Sequence, residues 1–311
     1  MIGYVLRRLA WGLVALLGVT FLAFTVAYLV PGDAAQLLAG PNARPDDVAN
    51  IRRQLGLDQP WLVQYAGFLW RLAHADLGRS YTGQPVAEII AQHLPPTLLL
   101  AATGWICWLV FGVSLGALVA WRRNRAGDAA LLVFSIVGAS VPTFWVGVLL
   151  LYVFAVRLGW FPIGGSGSGR HLVLPTLTLA AAGVAYYARL AHAHLDETLT
   201  RDYVRTARAK GLPGPLVLGR HALRTALLPL VTIAGSDLAG LVGGVVFTES
   251  VFNWPGLGRL AVERMTQQDV PVILGVVLVS ATAVVLLNLV IDLVYPLLDP
   301  RVRVGGAQEA G

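Results

Sequence analysis

The chain has 311 residues, 56% of them apolar and only 13% charged, whereas soluble domains average about 25% charge. Several apolar runs reach the roughly 18 residues that a bilayer-crossing helix needs, which excludes an ordinary soluble domain and points to an integral membrane protein. The net charge of +6 is modest. Its placement suits anionic lipid headgroups better than nucleic acid.

Met1 to Arg8 followed by an apolar run imitates a signal peptide. Leu9–Val30, however, would be about 33 Å long as a helix, and no small-residue cleavage site closes it. It is therefore predicted to be an uncleaved first span that starts in the cytoplasm. The following stretch, to about Leu94, is too polar to span. It reads as short helices: Asp33–Ala39 capped by its own Asp, Pro45–Leu55 with Asp46 and Asp47 in its first turn, Pro60–His74, and Pro85–Gln92 after a turn at Leu77-Gly78-Arg79-Ser80. It is either a plain extracytoplasmic cap or a platform for a partner.

Span 2 is predicted at Pro96–Trp121, with Gly112 and Gly116 as a close-packing face, and Arg122, Arg123 and Arg125 follow it. Cys107 is the sole cysteine, so no intrachain disulfide exists. Span 3, Ala129–Val156, holds Ser140-Val141-Pro142-Thr143-Phe144. Pro142 kinks it, either as a packing device or as a bend lining a polar path. After a Gly/Ser-rich external loop, span 4 covers Leu172–Leu190, and its helix runs on through His192 and His194. Those two rings point about 200° apart on a helix, which argues against a shared metal ion.

The most basic part of the chain comes next: Asp202-Tyr203-Val204-Arg205-Thr206-Ala207-Arg208-Ala209-Lys210-Gly211, then His221-Ala222-Leu223-Arg224. Arg201, Arg205, Arg208, Lys210, Arg220 and Arg224 all fall here. Residues 203–210 read as a surface helix with Asp202 as N-cap and Gly211 in the left-handed position beyond its end. Pro213 and Pro215 stop its continuation. A positive-inside topology signal and a docking helix for a cytoplasmic partner both fit. Span 5, Ala226–Thr248, carries Asp237 mid-span and Gly240-x-x-x-Gly244 as a second close-packing face. An ionisable group at that depth is costly and usually functional. Asp237 either lines an aqueous pathway or pairs with a hydroxyl such as Ser236 or Thr232. Span 6, Pro271–Leu293, ends near Asp292, read as structural. The inner-side cations outnumber Arg157, Arg170, Arg259 and Arg264 of the two short external loops, so six spans with both termini inside satisfy the positive-inside rule.

The basic stretch resembles the cytoplasmic loop of ATP-binding-cassette (ABC) importer permeases of the dipeptide/oligopeptide/nickel group, whose general pattern is Glu-Ala-Ala, three residues, then Gly. Arg205, Thr206, Ala207 and Gly211 occupy those places, so the Glu and first Ala are absent, and Leu223-Arg224 replaces the usual Leu-Pro. Pro213-Gly214-Pro215-Leu216 also departs from the charged residues relatives carry. The peptide-type wording is otherwise present, with Pro31-Gly32-Asp33, Gln64-Tyr65, Asp76-Leu77-Gly78, the run from Glu249 through Trp254-Pro255-Gly256-Leu257-Gly258, Asp269, Pro271, and Asp299-Pro300-Arg301 in order. The resemblance implies an all-α, six-helix type I importer permease in the bacterial inner membrane. It divides the chain into a first span plus extracytoplasmic segment (1–95), a permease core (96–296) and a cytoplasmic tail (297–311). It implies a second homologous permease subunit, two ABC ATPase subunits and an extracytoplasmic substrate-binding protein as partners.

The resemblance also gives Asp202, Tyr203, Arg205, Thr206, Ala207, Ala209, Lys210, Gly211, Arg220, His221 and Arg224 an ATPase-coupling role. Candidate pathway residues are Asp237, Ser140 and Pro142. The one lysine, Lys210, is followed by Gly211, so no Gly-Lys-Ser/Thr phosphate loop exists. ATP and magnesium are therefore expected on partner chains, with no cofactor or catalytic residue here. The rival reading is a secondary transporter that uses Asp237 as a proton or cation site.

Overall fold

A computed structural model describes residues 2–29, 34–40, 42–122 and 124–298, and the described elements are helical. Pro31-Gly32-Asp33, Arg123, the side chain of Asp292 and the tail from Asp299 lie outside the described residues. Helices are named α1 (Ile2–Leu29), α2 (Ala34–Ala39), α3 (Pro45–Gln54), α4 (Trp61–Ala73), α5 (Val86–Arg122), α6 (Arg125–Ser140) and α7 (Thr143–Arg157). They continue with α8 (Gly169–Leu199), α9 (Asp202–Ala209), α10 (Gly214–Leu216), α11 (Arg224–Gly244), α12 (Val246–Val251), α13 (Leu257–Thr266) and α14 (Val270–Leu298). Parts of α1, α5, α8 and α14 are long and apolar enough to cross a membrane alone. Counting each of two bent pairs as one span, α6 with α7 and the stretch Gly214–Leu227 with Pro229–Gly243, gives six.

The chain divides into two compact units. The first holds Met1–Thr97 and Pro255–Val285. There α4 packs on α1 through an aromatic cluster in which Trp61 and Tyr65 meet Phe21 at 5.3 and 5.7 Å. A second cluster joins Val86, Ile89 and Ile90 of α5 to Leu257 and Leu260 of α13 and Val272 and Val276 of α14. The helix expected at Pro85–Gln92 is not separate, because it is the start of α5, which continues through Pro95 and Pro96. Close to these prolines, His93 bonds the Ile89 carbonyl at 2.7 Å, and the Thr97 hydroxyl accepts from the Leu257 N–H at 2.7 Å.

The second unit holds Leu98–Trp254 and Leu286–Gly311. Its centre is α8, half buried where the other spans are mainly exposed. The Gly112/Gly116 expectation holds here. A Cβ on Gly112 would lie 2.6 Å from Tyr187 Cβ, and one on Gly116 would overlap the Ala188 carbonyl, so α5 rests on α8 backbone to backbone. Trp108 donates to the Leu179 carbonyl at 2.8 Å and Ser135 to that of Ala185 at 3.3 Å, polar ties of the kind that join helices in lipid. The second predicted face differs, since Gly240 meets nothing within 4 Å. The small residue that packs α11 on α14 is Gly235, whose Cβ would lie 2.6 Å from Ile291.

Span 3 is not one kinked helix. α6 and α7 meet at 95°, with Val141 and Pro142 both extended (ψ 123° and 132°). A proline disfavours the helical region for the residue before it as well as lacking an N–H. The result is a break rather than a gentle kink.

Candidate functional site

The basic helix α9 is one residue offset from expectation. Arg201 is its N-cap, with extended backbone (ψ 148°) and no side-chain cap bond. Asp202 is already helical and lies in the first turn, where a carboxylate still complements the helix dipole. The C-terminus matches the expectation. Gly211 has φ +76°, its N–H donates to the Arg208 carbonyl at 3.0 Å, and the Leu212 N–H donates to that of Ala207 at 3.4 Å. This double bond pattern is the Schellman motif, which needs a left-handed residue at that point. Pro213 lies beyond that turn and caps the next helical stretch, which takes in Pro215 in its first turn and runs from Gly214 through Val217–Leu223 into α11.

Two inward side chains seat α9. Val204 is 0% and Ala207 6% exposed, packed with Leu195 and Leu199 of α8, Ala117 and Ala120 of α5, and Val217, Ala222 and Ala226. Of the sequence candidates, Ala207 is therefore a packing residue, and Val204, which sequence reasoning passed over, is its companion three positions earlier. Asp202, Tyr203, Arg205, Thr206, Ala209, Lys210 and Gly211 are exposed, as are Arg220 and Arg224, while His221 is half-buried. The cations are lightly held. Arg201 reaches Glu197 at 2.5 Å and Arg205 lies 3.9 Å from Asp202, both at the surface, where such pairs contribute little. Beside α9, a cavity of about 210 Å³ is lined by Arg208, Trp121, Leu199, Gly214, Val217 and Leu218.

Asp237 accepts a 2.6 Å hydrogen bond from the Tyr187 hydroxyl of α8. The partner is thus a hydroxyl, but neither Ser236 nor Thr232. On a helix, neighbours one residue apart point away from each other, and the Thr232 Oγ1 is buried with no partner among the described residues. Tyr187 is fully buried and sits 6.1 Å from Trp108 and 5.4 Å from Tyr186, ring to ring. Close by on α11, Trp105 of α5 donates to the Ala234 carbonyl at 2.6 Å. Sequence offered one signal for this cluster, the Tyr186-Tyr187 pair in an otherwise alanine-rich span. Ser140 bonds only its own helix, at the Ile136 carbonyl, and Pro142 stands exposed at the break between α6 and α7. Further along α8, His192 contacts Asp128 of α6 at 3.0 Å, a pairing that fixes one of the two histidines noted in the sequence.

In the first unit, Asp269 is 2% exposed at the start of α14. It receives the Ser80 hydroxyl at 2.5 Å, the Tyr81 N–H at 3.4 Å and Arg264 at 3.4 Å. Burial first, and the Asp269 charge second, push the Tyr81 phenol up to about 12, since both disfavour the phenolate. Asp269 thereby clamps the loop before α5 onto the α13–α14 corner.

Residues 112–304 match the family described as Binding-protein-dependent transport system inner membrane component, and residues 1–101 match the N-terminal family of such membrane components. The chain is 42% identical, over 97% of its length and 99% of the relative's, to the Glutathione transport system permease protein GsiC of Salmonella choleraesuis. It is 41% identical, over 96% and 99%, to a Probable peptide ABC transporter permease protein, y4tP, of Sinorhizobium fredii. Its fold resembles a chain of the inward-facing MetNI methionine ABC transporter at 20% identity and TM-score 0.57, covering 68% of this chain and 96% of that one.

Proposed function

We propose a specific division of labour for this chain, which belongs to the family of binding-protein-dependent transport system inner membrane components. The protein is a multi-pass permease subunit of an ABC importer. Its transported solute is a peptide or peptide-like molecule, by analogy with relatives named for peptide and glutathione transport. It forms half of the pathway, with a second permease subunit forming the other half. Two ATPase subunits hydrolyse ATP with magnesium on their own chains, an extracytoplasmic protein delivers the solute, and both termini of this chain lie inside.

The observation that carries the coupling role is α9, which is cationic outside and wedged inside. Its outer face offers Arg205, Arg208 and Lys210 to a partner. Its inner face, Val204 and Ala207, belongs to one packed cluster with α8 and the stretch leading into α11. Densely packed interiors transmit displacement rather than absorb it. A push on α9 is therefore delivered to both flanking helices as rigid-body motion. Tyr187 and Asp237 tie those same two helices together further along, so we assign Asp237 a positioning role. We assign the break at Val141-Pro142 to the pathway; the support for this is that irregular backbone at membrane depth persists only against protein or a water-filled cavity and that Pro142 is exposed within this chain. The rival secondary-transporter reading finds no support among the relatives.

The test is site-specific crosslinking in the assembled transporter, in a Cys107→Ser background. Y203C and R205C are expected to crosslink to the ATPase subunit, whereas V204C, pointing inward, is not. Absence of any crosslink from 203 and 205 in a complex that still hydrolyses ATP and transports solute would remove the coupling assignment.

A further inference from the structure

The segment between α1 and the start of α5 is not uniformly a water-facing cap. Its two longest helices differ in what they leave exposed. On α3 the exposed side chains include Asp46, Asp47, Asn50, Arg52 and Arg53, as expected against water. On α4 the exposed face is Leu62, Val63, Ala66 and Trp70, with Leu62 69%, Val63 53% and Trp70 68% exposed. These positions share one side of a 3.6-residue helix, and no charged residue interrupts them before Arg71. The opposite face, Trp61, Tyr65 and Phe68, is already spent on Phe21 and Phe24 of α1.

What covers the free face follows from where α4 sits on α1. The Tyr65 hydroxyl reaches the Leu17 carbonyl at 3.4 Å and the Thr20 hydroxyl at 3.1 Å. The apolar membrane window of α1 is Leu6–Val26. Leu17 therefore lies nine residues inside its outer end, about 13 Å at 1.5 Å per residue. That depth approaches half of the ~30 Å hydrocarbon core. A helix held there by side chains shares the solvent of its neighbour. Two of its polar side chains are bonded locally: Tyr65 as above, and the Gln64 amide, which donates to the Gln59 carbonyl at 2.8 Å and the Leu57 carbonyl at 3.4 Å, while the Trp61 indole N–H is buried with no partner among the described residues. Backbone at such depth must be internally bonded, which a helix achieves. Trp70, Arg71 and His74 gather at its C-terminal end, with Trp70 and His74 rings 4.5 Å apart, a composition suited to the headgroup boundary.

We infer that α4 is a membrane-embedded helix lying in the outer half of the bilayer against α1, with Leu62, Val63, Ala66 and Trp70 in contact with lipid. The aqueous platform offered to an external partner is then confined to α3 and the polar loops, and α4 anchors it to the membrane. The inference uses the membrane placement of α1, and the experiment separates the two.

The full-length permease, co-purified with its partner subunits in a Cys107→Ser background, carries one spin label at a time and is reconstituted in vesicles of phosphatidylethanolamine and phosphatidylglycerol. The variants are L13C on the lipid face of α1, A66C and V63C on α4, and N50C on α3. Power-saturation EPR reads collisions with oxygen, which concentrates in lipid, and with a nickel chelate, which stays in water. Labels at 63 and 66 are expected to favour oxygen, as at 13, with the opposite preference at 50. A water preference at 63 and 66 while 13 favours oxygen overturns the inference. So does a label at 66 closed to both reagents, which would mean a protein neighbour covers α4. A water preference at 13 overturns the membrane placement of α1 itself.

Discussion

Gly211 is the position where the coupling proposal can be taken apart. Its φ of +76° lies in the left-handed region, and a Cβ built there meets nothing within 4 Å. A Cβ there therefore meets no atom among the described residues. What it disturbs is the backbone: a left-handed conformation costs an L-residue about 1–2 kcal/mol, least for asparagine, with a β-branched residue worst placed. Taken out of the Schellman turn, that energy shifts the balance between closed and opened turn by roughly 5- to 30-fold. Opening the turn releases the carbonyls of Ala207 and Arg208 and frees α9 to rotate on its seat. Gly211→Val is thus expected to lower ATP-driven uptake in proteoliposomes severalfold while ATP hydrolysis continues, which is uncoupling. Gly211→Asn, which brings similar bulk to the same exposed spot, is expected to transport nearly normally. If both variants fail alike, bulk against a partner is the cause and the turn argument is wrong. If valine transports as well as glycine, α9 does not depend on its C-terminal turn at all.

Two further expectations rest on buried contacts. Tyr187→Phe removes the donor to Asp237 and should lower the thermal stability of the purified transporter by about 1–2 kcal/mol, the upper range for hydrogen bonds in membranes. Combined with Asp237→Leu, the losses should be strongly non-additive, and strict additivity in the double-mutant cycle would show the bond is not made. For Tyr81, the folded pKa of about 12 stands above the ordinary 10.0. Its contribution to stability is therefore complete below pH 10 and lost as pH rises toward 12. A difference absorbance titration of wild type against Tyr81→Phe should show one phenol ionising near 12 and moving down in Asp269→Asn. A phenol titrating near 10 would refute the clamp.

Local chemistry wrote much of this protein into its sequence. Apolar runs longer than a bilayer is thick marked the spans whatever their neighbours, because the solvent alone selects them. The end of α9 was legible because a left-handed residue closes that turn, and Gly211 follows directly on the C-cap Lys210. The arginine-rich surface of α9 was legible for the same reason, since charges that find no buried partner stay outside. What depended on residues far apart in the chain could not be read. Asp237 announced that it needed a partner, but the hydroxyl that reaches it belongs to Tyr187, fifty positions earlier. Pro142 announced a disturbance, but not its size, a 95° angle between α6 and α7. The tertiary structure also divided α9 into a seat and a contact face, turning Ala207 inward. It drew α4 down onto α1 as well, because aromatic side chains bury most area where another helix already offers Phe21 and Phe24.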